Sequence, residues 1–353
     1  MRSRFFFDDV PPSLILVLLM DSITQIQPTS KGSQWNYTDH WAEMYPDCGR
    51  NAQSPINIET HSTKYDPSLQ PIKPLGYDSK LGEYFNLSNN GHTVVMSLPN
   101  YMSLEGLPKK YTAVQLHLHW GGRGTQEGSE HQLNGKAYLA ELHVVHFNSE
   151  SYPSFTVAKE KADGLAVLGI LIEEGENANP AYEHILKNLI YIQHSGDYVS
   201  LHSFDVHELL PKQMDKYFRY NGSLTTPPCS QTVLWTVFAQ SVQLSRQQME
   251  VLQSSLYSSE EGILPAVPLV DNFRMPQPLN GRTVFVSFTE DAAAVFSPGE
   301  IIAVISGVLL VSLGIMFLIH FIIKNSRLQN NKGPKEEEYI PAPCSSGEAH
   351  QQP

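Results

Sequence analysis

The run His117-Leu118-His119 is the first place in the chain where residue type and spacing suggest chemistry. Successive side chains in a strand alternate faces, so both imidazoles leave the same side and Leu118 leaves the other. The segment Glu141-Leu142-His143-Val144-Val145-His146 alternates in the same way, with Glu141, His143 and Val145 on one face and His146 on the opposite one. One histidine on a neighbouring strand beside an H-x-H pair makes three imidazoles, the ligand set of a catalytic zinc whose fourth position is left for water. Neutral nitrogen donors leave the metal its full charge, and water on such a metal has a pKa of about 7, so hydroxide is available at neutral pH. The competing reading is a group of buried core histidines. With 14 His against 3 Cys, any metal chemistry here leans on imidazole rather than thiolate.

The elements that would position these residues are strands. Apolar and polar residues alternate over 114–120, 138–147 and 283–288, and 165–172 is a continuous apolar run rich in β-branched residues, as in a strand buried on both faces. Helical periodicity is clearest over 180–192 and 245–256, where Ser245 is the expected N-cap and Gln248 completes a capping box. Residues 34–291 contain no internal repeat and no long linker, which reads as one β-rich α/β domain near the size limit of a single core. Against 36 Asp plus Glu, the 24 Lys plus Arg leave a formal charge of −12, and no basic footprint for nucleic acid exists.

Outside that domain, residues 301–323 carry no Asp, Glu, Lys or Arg and are long enough for one transmembrane helix. Lys324 and Arg327 follow, so the positive-inside rule puts the 324–353 tail in the cytoplasm and the domain outside, with 292–300 as a stalk. Arg2 and Arg4 before the apolar run 14–20 read as a signal peptide within 1–27, giving a single-pass type I protein of the plasma membrane. Sequons at Asn36, Asn86 and Asn221 fall on the outer side. Cys48 and Cys229 are the only outer cysteines and are expected to pair. Ala303, Gly307 and Gly314 near one face of the helix suggest a homodimer, and the membrane setting leaves room for a transporter as partner.

The runs Gln115-Leu116-His117-Leu118-His119-Trp120-Gly121, Gly128-Ser129-Glu130-His131, Ala140-Glu141-Leu142-His143-Val144-Val145-His146 and Gly222-Ser223-Leu224-Thr225-Thr226-Pro227-Pro228-Cys229 closely resemble the α-class carbonic anhydrases. Gln53-Ser54-Pro55-Ile56-Asn57-Ile58, Asn89-Asn90-Gly91-His92 and Gly164-Leu165-Ala166-Val167-Leu168-Gly169 match the same family in the same order, so the resemblance covers nearly all of 35–288. With its signal and membrane helix the chain is most similar to the single-pass membrane members. The resemblance implies a large twisted, mostly antiparallel ten-stranded sheet with short peripheral helices. It implies a lyase in which zinc-bound hydroxide attacks carbon dioxide to give bicarbonate and a proton.

Carried over residue by residue, the resemblance implies Zn2+ held by His117, His119 and His143, with Gln115, Glu141 and the backbone carbonyl near Asn272 accepting from the other ring nitrogens. Thr225 would accept the hydroxide proton and pass its own to Glu130. Val145, Val167, Leu224 and Trp235 would line the carbon dioxide slot beside Thr225 and Thr226. His92 would shuttle the product proton through water ordered by Asn90, Tyr37 and Thr226. The stretch from Trp35 to Trp41 is a few residues shorter than the family's usual spacing, which bears on Tyr37, and Val95 stands where most relatives carry a polar group. Two other readings remain: a binding module of the kind that keeps this fold without its zinc ligands, and a zinc esterase or protease, for which the H-E-x-x-H pattern is missing.

Overall fold

The computed structural model describes residues 35–37, 40–78, 80–289 and 298–330, with side chains of the last segment described over 305–327. The chain divides into two units, Met1–Thr289 and Glu290–Pro353. In the first, one 13-stranded sheet carries the site. Ten of its strands form a continuous path in the order Tyr198–His202, Tyr84–Asn89, Val94–Ser97, Tyr111–Trp120, Ala140–Asn148, Leu165–Gly175, Val233–Phe238, Tyr217–Gly222, Phe285–Val286 and Lys64–Tyr65. Val242–Ser245, Ser103–Glu105 and Lys73–Leu75 add to it off that path, so the expected ten strands are extended by three. Most pairings are antiparallel, and Leu165–Gly175 pairs in parallel with Val233–Phe238.

Leu165–Gly175 has no alternation because both its faces are covered. Leu168, Ile170 and Ile172 enter one apolar cluster, and Leu165, Val167 and Leu171 enter the other. The same division runs across neighbouring strands, with Val144 and Phe238 on the first side and Val145, Val237 and Trp235 on the second. The second side is the one that carries the histidine site.

Helices are shorter than the apolar periodicity suggests. The expected 180–192 helix is α-helical only over Pro180–Leu186, capped by Asn179, and is followed by a 3-10 turn at Leu189–Tyr191. The 245–256 expectation becomes Arg246–Ser254 with the Ser245–Gln248 capping box in place. Of 283–288, the strand proper is Phe285–Val286, with Val284 O accepting from Lys64 N and Ser287 N donating to Tyr217 O on either side of it. In the second unit a helix runs over Pro298–Asn330, and Ile305–Arg327 is long and apolar enough to cross a membrane. It starts inside the expected stalk and passes beyond 323, because nothing at Lys324 breaks helical hydrogen bonding where the apolar stretch stops. The expected signal peptide, the stalk residues 292–297 and the tail beyond 330 lie outside the described residues.

Cys48 and Cys229 form a disulfide 181 residues apart in sequence, buried in a small cluster with Trp41 and against Trp35, Tyr37 and Tyr45. Serine at both positions should lower the unfolding free energy by about 5 kcal/mol on the chain-entropy model. Urea midpoints of the two proteins measure this, and a loss under about 1 kcal/mol would contradict it.

Candidate metal centre

Register brings the histidines together. His117 pairs with His143 and His119 with Glu141 across adjacent antiparallel strands. A β-bulge between Ala113 and Gln115 sets which face they occupy. Ala113, Leu116 and Leu118 all enter the first apolar cluster, which strict alternation would forbid. The extra residue switches the parity, so that 116 and 118 point to the core and 115, 117 and 119 to the opposite face.

Each imidazole then has one nitrogen engaged by a group that can only accept. His117 Nδ1 donates to Gln115 Oε1 at 2.9 Å, His119 Nδ1 to the Asn272 carbonyl at 2.7 Å, and His143 Nε2 to Glu141 Oε1 at 2.7 Å. The remaining nitrogens, Nε2 of His117 and His119 and Nδ1 of His143, are therefore lone pairs. Ligand atoms of the three lie within 4.8 Å of one another. His119 Nε2 and His143 Nδ1 are 3.1 Å apart, two acceptors facing each other with no proton to share. Two nitrogens on a tetrahedral zinc are about 3.3 Å apart, so this donor set fits that ion. Burial lowers the pKa of all three, His119 to about 3, which keeps them in the neutral form that binds metal.

Two buried carboxylates flank the site in opposite states. Glu141 receives four donors: His143 and His131 on Oε1, and the backbone N–H groups of Glu130 and His131 on Oε2. Burial pushes its pKa up, but the charges and hydrogen bonds of His131 and His143 outweigh that and hold it well below the usual range. Gly169, opposite His143, leaves it room, since a Cβ there would stand 3.1 Å from Glu141 Oε1. With its oxygens occupied, Glu141 supports a ligand rather than acting as one, although it also groups with His131 and His143. Glu130 is pushed well above the usual range by burial and by the charge of Glu141, while Thr225 and Arg274 pull it back. Its Oε1 accepts from Arg274 N. Its Oε2 has no well-formed hydrogen bond and lies 3.4 Å from His119 Nε2 and 3.8 Å from His143 Nδ1.

Val145, Val167, Leu224 and Trp235 meet in one apolar cluster, and Trp235 packs edge-on against His143. Thr225 is buried and Thr226 partly so, in a loop tied back by Leu224 N to Ser230 O and Cys229 N to Thr226 O. His92 stacks on Trp35 at 3.9 Å, and burial lowers its pKa. Gly91 before it adopts φ +83°, and a Cβ there would meet Ser195 Oγ at 2.7 Å, so the turn that delivers His92 requires glycine. Asn90 uses Oδ1 on the backbone N–H groups of His92 and Thr93. Tyr37 packs against Trp35 and Trp41, and its pKa is raised by burial and by the charge of Glu130. Val95 pairs with His117. Asn36, Asn86 and Asn221 are exposed.

Sequence reasoning missed two supports. His131 Nε2 meets the Tyr220 hydroxyl at 2.7 Å, which donates to Ser54 Oγ, and that oxygen accepts from Ser223 N at the start of the Thr225 loop. Arg274 anchors the Glu130 side, donating from its guanidinium to Gln53 Oε1, Ser54 O and Cys48 O. His131 follows Glu130 in the sequence, but a loop histidine carries no periodic signal of its partners.

Comparison with known proteins agrees with this geometry. The family model of eukaryotic-type carbonic anhydrases matches residues 36–288. Carbonic anhydrase 12 of Homo sapiens is 39% identical over 347 residues, covering 96% of this chain and 97% of that protein. Carbonic anhydrase 6 of Homo sapiens is 38% identical over 282 residues, 77% of this chain and 89% of that protein. Carbonic anhydrase 1 of Mus musculus is 40% identical over 263 residues, 72% of this chain and 99% of that protein.

Glu141→Gln replaces an anion that serves four donors with an amide that cannot accept on both arms. Zinc affinity should fall about 10- to 100-fold, read by competition with a chromogenic chelator, and an unchanged affinity would contradict the role.

Proposed function

We propose, from the premise that the chain belongs to the eukaryotic-type carbonic anhydrases, zinc enzymes that hydrate carbon dioxide, that it works at the outer face of a membrane and that its product proton leaves through His92. The observation that carries the chemistry is the set of three outward hydrogen bonds, which leave three imidazole lone pairs turned to one another. A binding module without metal would have no need of them.

When bound, Zn2+ supplies Lewis acidity that brings the pKa of a site water down to about 7. His117, His119 and His143 hold the ion. Glu130 is kept ionised by the positive charge that those nitrogens bind, and it accepts from the Thr225 hydroxyl. Thr225 then has only lone pairs to offer the attacking oxygen, and by accepting a hydrogen bond from it would turn its reactive electrons toward the substrate. Carbon dioxide is small, linear and uncharged, and the wall of Val145, Val167, Leu224 and Trp235 gives it a dry slot next to Thr225 and Thr226.

Each turnover leaves a proton that must reach solvent. His92 suits this because it is partly exposed and stacks on Trp35, and its backbone carbonyl accepts from Asn272, which also holds His119. Tyr37, Thr226 and the remaining amide group of Asn90 order the water between. Its lowered pKa keeps the ring neutral, and so able to take a proton, at pH values below its usual 6.5. His92→Ala should cut kcat about tenfold or more in weak buffer, leave kcat/KM for hydration nearly unchanged, and be rescued by imidazole buffers. The wild-type kcat profile in weak buffer should turn below pH 6.5. An unaffected kcat would show that protons leave by another route.

Outer-face placement rests on the apolar Ile305–Arg327 helix, the cations at its C-terminal end, the Cys48–Cys229 disulfide and the exposed sequon asparagines. Self-association through the helix, expected from Ala303, Gly307 and Gly314, of which Ala303 lies outside the described side chains, and a bicarbonate or proton transporter beside it, belong to the same proposal. Trypsin applied to intact cells should release carbonic anhydrase activity from the surface. Activity that becomes protease-sensitive only after permeabilisation would reverse the orientation.

A further inference from the structure

We propose that Asn86 is an N-glycan acceptor whose sugar stands at the mouth of the metal cavity and admits ligands by size. This rests on the outer-face reading above, because only a chain made on that side of the membrane meets the glycosylation machinery.

Strand register places Asn86 on the metal side of the sheet. On the strand Tyr84–Asn89, Phe85 and Leu87 point into the first apolar cluster, so Asn86 and Ser88 point to the opposite face. Ser88 pairs with Val95, Val95 with His117, and His117 with His143. Residues directly opposite in a ladder share a face, so Asn86 stands on the same side of the sheet as the metal ligands. One row over, Ser97 pairs with Gln115, the residue that holds His117, and extending the register puts Asn86 opposite Ser97. Two strand spacings, about 10 Å, therefore separate Asn86 from Gln115.

Exposure falls along this face from rim to centre. Asn86 and its partner Ser200 are exposed, Ser88, Val95, Ser97, Gln115 and His117 are partly buried, and His119 and His143 are buried. Solvent thus reaches the metal nitrogens from the Asn86 side. Asn86-Leu87-Ser88 is an acceptor sequence with no proline in it. A glycan at Asn86 is bulky and polar and begins within that approach, where it obstructs a macromolecule but not carbon dioxide. Asn221 is the internal control. It follows Tyr220, which pairs with Trp235 on the metal side, so Asn221 points to the other face.

The test uses the full chain made at the surface of cultured cells. Glycopeptide mass spectrometry reads occupancy at Asn36, Asn86 and Asn221. An aryl hydroxamate, a zinc-binding group, is then supplied free and linked to a large dextran, and its association rate is read by tryptophan quenching. Asn86→Gln and Ser88→Ala remove the same sequon through different residues. Both should speed the dextran-linked probe about fivefold or more, while the free probe and kcat/KM for carbon dioxide change less than about twofold and Asn221→Gln changes nothing. An unoccupied Asn86 beside an occupied Asn36 or Asn221 overturns this inference and leaves the outer-face reading intact. Three unoccupied sites overturn the inference and count against the outer-face reading as well. An occupied Asn86 whose removal leaves the linked probe unchanged makes the sugar irrelevant to access and also overturns it.

Discussion

Three imidazoles can serve one cation only if their protons are held away from it, and much of the sheet's local structure answers to that constraint. A free imidazole chooses its tautomer, and a wrong choice at any of the three positions turns a ligand into a donor aimed at the metal. Here the choice is removed by acceptors of three kinds: an amide oxygen, a backbone carbonyl and a carboxylate. Each comes from a different part of the chain. Gln115 shares the strand of the ligand it holds, Glu141 shares the strand of His143, and Asn272 arrives from a segment 153 residues from His119. Asn272 is itself held by Trp120 N on Oδ1 and by its own bonds to the carbonyls of His92 and Leu118. One residue thereby ties His119, through its backbone carbonyl, to the loop that carries His92, through its side chain.

The two glutamates show how environment divides one chemistry into two roles. Both are fully buried, which alone would favour the neutral acid. Glu141 is surrounded by four donors and stays an anion. Glu130 has one backbone donor, faces the charge of Glu141, and keeps an oxygen beside two metal-facing nitrogens. Its ionisation therefore depends on what those nitrogens hold. The Cys48–Cys229 disulfide and Arg274 fix this arrangement from behind, since Arg274 reaches Cys48, Gln53 and Ser54 while its backbone holds Glu130.

The ligand face was legible in sequence because a two-residue repeat in a strand has one geometric meaning. Alternation alone put His117 with His119, and Glu141 with His143, on single faces; that the three imidazoles form one ligand set came from the resemblance, and the continuous apolar run beyond Gly164 announced a strand covered on both sides. The β-bulge at Ala113 was not legible, since an extra residue leaves no mark in composition and shows itself only when Ala113 and Leu116 enter the same core. The acceptor role of the Asn272 carbonyl came from resemblance alone, because a backbone oxygen has no residue type to read. Tertiary packing shortened the helix after Pro180 to Leu186, and local hydrogen bonding carried the membrane helix past its apolar stretch. His131, Tyr220 and Ser54 form a chain whose members lie far apart in sequence, and their partnership exists only in the fold.

The central claim is that outer hydrogen bonds dictate the tautomers of the metal ligands. Long-range proton–nitrogen NMR of the zinc-loaded protein, labelled with 15N-histidine, reads those tautomers directly. The account predicts that His117 and His119 carry their proton on Nδ1 and His143 carries its proton on Nε2. A proton on the opposite nitrogen of any of the three would contradict it.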